Sequence, residues 1–190
     1  VGIPRRIGEK VFLTRNNGLQ NQSVTFVKDS EDGEERVFLD PNTLSEDGTV
    51  AASLSGASKD GRYVVEVRNA AGSDWQEMRV LDLTTGESTG EVLEWVKFSG
   101  AAWVEGGFYY SRYPAPEGSA YSAENTFHSV YFHKVGTPQS EDELVFRNDD
   151  EPNRYHFCGT TEDGEYVVLN TSTGTDGNSL HVKSLKEGGA

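Results

Sequence analysis

The serine in Gly86-Glu-Ser88-Thr-Gly90 is a candidate nucleophile, because it matches the G-x-S-x-G pattern found in hydrolases. That chemistry needs a strand before the serine and a helix after it, so that the hydroxyl is held exposed on a strained turn. Here Thr84–Gly90 is a polar turn, and the following segment Glu91–Phe98 has the composition of a strand. The sequence therefore predicts a hairpin loop at Ser88 and no catalytic residue in this chain.

Histidines are the next residues that could act as acids, bases or metal ligands, and the chain has His128, His133, His156 and His181. His128 and His133 are close in sequence, but their odd spacing would put them on opposite sides of one strand. The sequence contains no H-E-x-x-H spacing, no ordered calcium loop and no Walker or dinucleotide glycine loop. We expect no metal and no cofactor, and histidines that lie at the surface or in hydrogen bonds.

Aromatic residues crowd the segment Phe108-Tyr109-Tyr110-Ser-Arg-Tyr113, which offers the best ligand-binding chemistry. Alternation along a strand would put Tyr109 and Tyr113 on one face and Phe108 and Tyr110 on the other. One face is expected to lie in the core, and the other could present aromatic surface to a ligand, since tyrosine joins apolar area to a hydroxyl. Burial is the alternative role for each ring.

Short strands must position all of these residues. Stretches rich in β-branched and aromatic residues recur along the chain, and Gly, Asp, Asn or Pro occupies nearly every gap. These stretches are Lys10–Arg15, Ser23–Lys28, Arg36–Leu39, Arg62–Arg68, Trp75–Leu83, Gly107–Tyr113, Ser129–Val135, Leu144–Arg147, Glu165–Asn170 and Leu180–Leu185. No segment keeps apolar residues at helical spacing over three turns, so the chain is predicted to be all-β.

A longer repeat groups the strands. Ser58-Lys-Asp-Gly-Arg-Tyr-Val-Val65 and Thr161-Glu-Asp-Gly-Glu-Tyr-Val-Val168 are near copies, with a weaker copy at Val104–Tyr110 between them. The spacing corresponds to units of about 50 residues, which is typical of a β-propeller. We predict a partial β-propeller of about three to four four-stranded blades, in which the first blade lacks its opening strand and the last its closing strand. A β-sandwich is the alternative, and the repeat disfavours it.

Charge and composition limit the partners. The formal net charge of -14 would repel a phosphate backbone, so nucleic acid is not expected as a partner. No run of about 18 apolar residues is present, so no membrane span or membrane partner is expected. No basic segment followed by an apolar segment is visible, so no signal peptide is predicted. A disulfide framework is not predicted either, since Cys158 is the one cysteine. The compartment stays open, with the cytoplasm favoured over the periplasm or secretion.

Several longer motifs carry a family resemblance. They are Asn16–Ser23, Phe38–Thr49, Gly72–Trp75, Val92–Ser99, Tyr109–Pro114 and His133–Asp142. Together they strongly resemble the propeller of the prolyl oligopeptidases, in the order in which the family has them and over nearly the whole chain. The resemblance implies a seven-bladed propeller attached to an α/β-hydrolase domain that cleaves short peptides after proline.

That resemblance also implies that catalysis and substrate filtering belong to different domains. The Ser, Asp and His of the family's catalytic triad lie in the hydrolase domain, so residues 1–190 are expected to be part of the propeller, without the hydrolase domain and inactive alone. The propeller would filter substrates by size, with short proline-containing peptides and the hydrolase domain as its partners. The alternative is a propeller-like module that binds peptides or proteins and has no peptidase parent.

Individual residues can be carried over from the family as well. Tyr109 would correspond to a propeller aromatic that lines the substrate pocket, where relatives commonly have Phe. Relatives have Arg and Cys at positions that match Ser172 and Thr175, so that part of the pocket departs from the family pattern. The chain is expected to be the excised front portion of a propeller, whose uncovered terminal blade faces would self-associate.

Overall fold

β-Strands make up nearly all of the regular structure in the computed structural model, which describes residues 2–70, 72–116, 125–174 and 177–186. The chain divides into two compact units, Val1–Gly90 and Glu91–Ala190. No helix in the described ranges is long and apolar enough to cross a membrane. The all-β prediction is confirmed.

The first unit begins with a four-stranded antiparallel sheet in the order β1-β2-β3-β4. Its strands are β1 (Arg5–Ile7), β2 (Lys10–Arg15), β3 (Val24–Lys28) and β4 (Glu35–Leu39). The prediction that this blade lacks its opening strand is wrong, because β1 pairs with β2 across a tight turn at Gly8. A strand of three residues, two of them arginines, is too short to show a hydrophobic alternation.

Four further strands are neighbours in chain order, as part of an eight-stranded sheet. They are β5 (Ala51–Ala57), β6 (Tyr63–Asn69), β7 (Gln76–Asp82) and β8 (Glu87–Val96), the last of which ends in the second unit. A core of aliphatic side chains and one phenylalanine lies between the two sheets: Ile7, Phe12, Val27, Val64, Leu81 and Leu83. Each such side chain contributes about 1.5–3 kcal/mol when it is removed from water.

The second unit contains two further groups of strands. The first comprises β9 (Ala102–Val104), β10 (Gly107–Arg112), β11 (Ser129–Lys134) and β12 (Glu143–Phe146), with β10 between β9 and β11. The second comprises β13 (Tyr155–Thr160), β14 (Tyr166–Ser172) and β15 (Asn178–Ser184). Within the described residues the last group has three strands, in the order β13-β14-β15.

The repeat in the sequence corresponds to a repeated turn. In the β5–β6 turn, Asp60 Oδ1 accepts hydrogen bonds from Ser58 Oγ at 2.6 Å and from the Arg62 N–H at 3.0 Å. In the β13–β14 turn, Asp163 Oδ1 accepts from Thr161 Oγ1 at 2.6 Å and from the backbone N–H two residues later at 2.9 Å. An Asp side chain that bonds its own backbone stabilises a tight turn, so the near copies place equivalent hairpins in the two sheets.

Candidate functional site

Tyr109 lies in the middle of β10, opposite Ala102 of β9 and Phe132 of β11. Its ring centroid is 5.2 Å from that of Phe132, and its side chain is half-buried. Burial raises the pKa of the Tyr109 phenol, and the charges of Cys158 and Glu143 raise it further. The phenol is therefore neutral at physiological pH, so it can stack on a ligand and donate a hydrogen bond without contributing charge.

The alternation predicted for the aromatic segment is confirmed, but both of its faces are covered. Phe108 and Tyr110 are 0% exposed and share one face, where their ring centroids lie 6.0 Å apart. On the other face Tyr113 is 4% exposed and packs against His128, with a centroid distance of 4.7 Å. Among these four aromatic residues only Tyr109 keeps partial exposure, so the segment presents one ring to a ligand rather than an aromatic surface.

A buried charge cluster surrounds His133 on β11. Its Nδ1 lies 2.7 Å from Asp142 Oδ1, and its Nε2 lies 3.3 Å from Glu91 Oε1. Tyr110 Oη donates to the second carboxylate oxygen of Asp142 at 2.6 Å. Burial alone would lower the pKa of His133, but the hydrogen bonds and charges of Asp142 and Glu91 raise it to about 9. His133 is therefore an imidazolium that donates from both ring nitrogens.

The same cluster fixes the loop that follows β11. Glu91 Oε1 also accepts a hydrogen bond from the Gly136 N–H. Gln139 bonds the backbone of Glu94 in both directions at 3.1 Å, and its Nε2 donates to Tyr110 Oη at 3.0 Å. These contacts hold the loop on the second half of β8, so the motif His133–Asp142 stabilises the fold, although its residue types suggested chemistry.

His128 joins β13 to the segment after β8. The His156 backbone N–H donates to His128 Nδ1 at 3.0 Å, so the ring proton sits on Nε2, which donates to the Lys97 carbonyl at 2.9 Å. Burial lowers the pKa of His128 to about 4, so the ring is neutral near physiological pH. Ser111 Oγ adds a hydrogen bond to the His156 carbonyl at 2.7 Å. A neutral imidazole is required here, because a protonated Nδ1 would face a second donor.

The prediction of surface or hydrogen-bonded histidines is correct for His128 and His133, whose rings are hydrogen-bonded, and for His181, which is exposed. It is wrong for His156, whose buried Nδ1 has no hydrogen-bond partner among the described residues. His128, His133 and His156 are at most 1% exposed, while His181 is exposed. Neighbours distant in sequence cover the first three, and spacing along one strand does not reveal such neighbours. In the ranges that the structure describes, no group of three or more His, Cys, Asp or Glu side chains could hold a metal ion.

The remaining candidate residues do not form a reactive site with Tyr109. Ser88 is exposed and lies within β8, so the prediction of a hairpin loop at this residue is wrong. Its Oγ accepts a hydrogen bond from the Gly90 N–H at 3.2 Å, and the chain continues as a strand rather than as the helix that a nucleophile turn requires. Ser172 ends β14, is buried, and donates to the Gly174 carbonyl at 2.6 Å. Thr175 lies outside the described residues. Two buried carboxylates, Glu91 and Asp142, were missed by sequence reasoning, because acidic residues are common on the surface of this chain.

Comparison with known proteins gives a consistent result over the whole chain. The family model described as "Prolyl oligopeptidase, N-terminal beta-propeller domain" matches residues 1–190. The chain is 42% identical to the prolyl endopeptidase of Elizabethkingia meningoseptica over 188 residues, which cover 98% of this chain and 26% of that protein. It is 32% identical to the dual function macrocyclase-peptidase POPB of Galerina marginata, covering 92% of this chain and 27% of that protein.

Solved structures show the same similarity. A structure from a study of two prolyl endopeptidases and their inter-domain dynamics superposes with a TM-score of 0.86 and 36% identity, over 99% of this chain and 27% of that chain. Prolyl oligopeptidase B of Galerina marginata, bound to a 35mer hydrolysis and macrocyclization substrate, gives a TM-score of 0.86 at 28% identity, over 100% and 29% of the two chains. The chain spans about a quarter of the length of the curated relatives it matches.

Proposed function

The chain belongs to the prolyl oligopeptidase family as its N-terminal β-propeller domain, and from this premise we propose that it is the substrate-filtering part of a serine peptidase that cleaves short peptides after proline. One observation carries the proposal: the antiparallel sheets superpose over 99% of this chain on 27% of a chain from a study of two prolyl endopeptidases, with a TM-score of 0.86. In the full protein, a hydrolase domain would supply the serine, aspartate and histidine of the triad.

The filtering role follows from the rigidity of the sheets. Phe108, Tyr110 and Ser111 of β10 are buried, Tyr109 is half-buried, and buried hydrogen bonds fix the loop after β11. Such a wall does not deform to admit a folded protein, because close-packed sheets resist local distortion. Short peptides would enter by a motion of whole blades or domains, which also excludes water and long chains from the reaction.

Tyr109 is proposed to contact the substrate within that wall. It is the one residue of the aromatic segment that is neither fully buried nor charged. A half-buried ring beside Phe132 can pack on the apolar part of a peptide, and the neutral hydroxyl can donate to a peptide carbonyl. By the family resemblance an arginine would stand at the position of Ser172, and because serine carries no charge, recognition here would depend more on apolar contact.

The test compares the full peptidase with the 190-residue chain on a chromogenic Gly-Pro substrate. We expect cleavage after proline by the full protein, slower cleavage when the same sequence lies in a folded protein, and no turnover by the chain alone. The variant Ser88→Ala of the chain controls for an independent nucleophile and for contamination. Cleavage by the purified chain that disappears in Ser88→Ala would contradict the proposal.

The isolated chain is also proposed to self-associate through the last sheet. Its outer face, opposite His156, carries Phe157 at 37%, Leu180 at 64% and Val182 at 58% exposure. Phe157 and Leu180 lie in register across β14, so their side chains form one patch of exposed apolar surface, which is costly in water. In analytical ultracentrifugation, Leu180→Glu should shift the chain toward monomer; a wild-type chain that is monomeric at high concentration would contradict this.

A further inference from the structure

A cavity of about 340 Å³ lies in the first unit, between β1, β2 and β3 on one side and β5 on the other. Its lining combines apolar, hydroxyl, carboxamide and guanidinium side chains: Ile3, Arg5, Ile7, Phe12, Thr14, Gln22, Ser23, Thr25, Ala52, Ser53 and Leu54. The volume falls within the range of about 300–1,000 Å³ that is typical of small-molecule sites. Arg5 lies opposite Phe12 in the register of β1 and β2, so the guanidinium-bearing residue and an apolar ring are neighbours in the lining.

Among the described residues, the lining contains one positively charged side chain and no carboxylate, although the chain has 31 acidic residues against 17 basic ones. Arg5 Nη1 donates to the Ser55 carbonyl at 2.8 Å, which orients the guanidinium, and in the described ranges no carboxylate pairs with it. Its neighbour Arg6 lies on the other face of β1 and forms an ion pair with Glu31 at 3.1 Å. The remaining donors of Arg5 are therefore available for an anion, and carboxylate geometry suits the guanidinium.

Neutral polar groups complete the lining of the cavity. They include the hydroxyls of Thr14, Ser23, Thr25 and Ser53. Gln22 is held in place, because its Nε2 donates to the Val50 carbonyl at 2.6 Å and its backbone N–H donates to Asn42 Oδ1 at 3.0 Å. This leaves Gln22 Oε1 as a fixed acceptor for a ligand N–H.

We propose that this cavity binds the C-terminal end of a short peptide with an apolar last residue. The terminal carboxylate would bind Arg5, and the backbone N–H of the last peptide residue would donate to Gln22 Oε1. The apolar side chain of that residue would pack on Ile7, Phe12 and Leu54. A peptide end would use the guanidinium, the carboxamide and the apolar side chains of the lining, whereas a free phosphate would use only the guanidinium of Arg5. The proposal does not depend on the peptidase activity.

The experiment titrates N-acetyl-glycyl-leucine into the 190-residue chain by isothermal calorimetry. We expect saturable binding, and at least about tenfold weaker binding of the C-terminal amide and of Arg5→Gln, since a charge-assisted hydrogen bond is lost. Arg6→Gln is the matched control, because it removes the same charge on the other face of β1, and its affinity should stay within about twofold.

A second variant tests the proposal even if Arg5→Gln fails to fold. Ser53→Leu keeps Arg5 and fills the cavity from an exposed strand position, so it should abolish binding while circular dichroism and the melting temperature stay close to wild type. The proposal is overturned if the wild-type chain shows no saturable binding, if the acid and the amide bind equally, or if inorganic phosphate binds as tightly as the peptide.

Discussion

The buried imidazolium of His133 makes the stability of the second unit sensitive to alkaline pH. Its pKa in the folded chain is about 9, above the ordinary value of 6.5, so the folded chain keeps a proton that the unfolded chain loses between these two values. The stabilisation is fully present below about pH 6.5 and is lost as the pH rises through about 9. At about 1.4 kcal/mol for each pKa unit, this shift corresponds to about 3 kcal/mol. The His133 side chain is 0% exposed, so solvent screens its interaction with Asp142 only weakly.

The variant His133→Gln measures this contribution, because glutamine can hydrogen-bond but cannot titrate. Urea unfolding of the wild-type chain and the variant, followed by tryptophan fluorescence, gives the free energy of unfolding from about pH 6 to about pH 9.5. The advantage of the wild type should fall by about 3 kcal/mol over that range. His181→Gln removes an exposed histidine and is the matched control, whose pH dependence should parallel that of the wild type.

Two results would refute the reasoning about His133. The first is a pH-independent difference between the wild type and His133→Gln, which would mean that the imidazole is not charged in the folded chain. The second is an NMR titration in which the His133 ring loses its proton near or below its ordinary pKa. Asp142→Asn gives an independent check, since loss of the buried carboxylate should lower the pKa of His133.

Three further predictions follow from other contacts. The folded-state pKa of His128 is about 4, below its ordinary 6.5, so the free energy of unfolding should fall by up to about 3 kcal/mol from about pH 6.5 to pH 4. In urea unfolding, the stability of His128→Gln should depend less on pH over this acid range. Gly61→Ala should lower the free energy of unfolding in urea by about 3 kcal/mol, since its φ is +72° and a Cβ would lie 2.7 Å from Gly8 Cα. Gly86→Ala, with a φ of +77° and open space around the Cβ, should lower it by about 1 kcal/mol. Equal losses in the two variants would contradict the close approach at Gly61. In the full peptidase, Tyr109→Phe should keep kcat/KM within about threefold and Tyr109→Ala should lower it about tenfold; unchanged activity in both would refute a substrate contact.

The strands were predictable where the pattern is long and uninterrupted. β2 has the predicted bounds Lys10–Arg15, and β6 and β11 differ from prediction by a residue or so at an end. β9 and β13 were not predicted: β9 has three residues, and β13 contains Cys158 and Gly159 in place of β-branched residues. These strands exist because β10 and β14 supply hydrogen-bond partners, which is a property of the sheet rather than of the segment.

The candidate site was only partly accessible from sequence. Tyr109 was proposed from a dense aromatic segment and from the family resemblance, and the segment's alternation predicted which rings share a face. The burial of Tyr113 was not predictable, since it depends on His128, which lies further along the chain. The charge on His133 was not predictable either, because Glu91 and Asp142 meet it from different parts of the chain.

The sequence by itself determined the all-β class, the repeat and its hairpin turns, because turn chemistry and strand alternation act between residues that are neighbours along the chain. The tertiary structure alone decided that Ser88 lies in a strand and that His133 is charged while His128 is neutral. It also decided that Arg5 lines a cavity whose described residues include no carboxylate. Each of these properties depends on which side chains from distant segments surround a group, and only the packed sheets bring those side chains together.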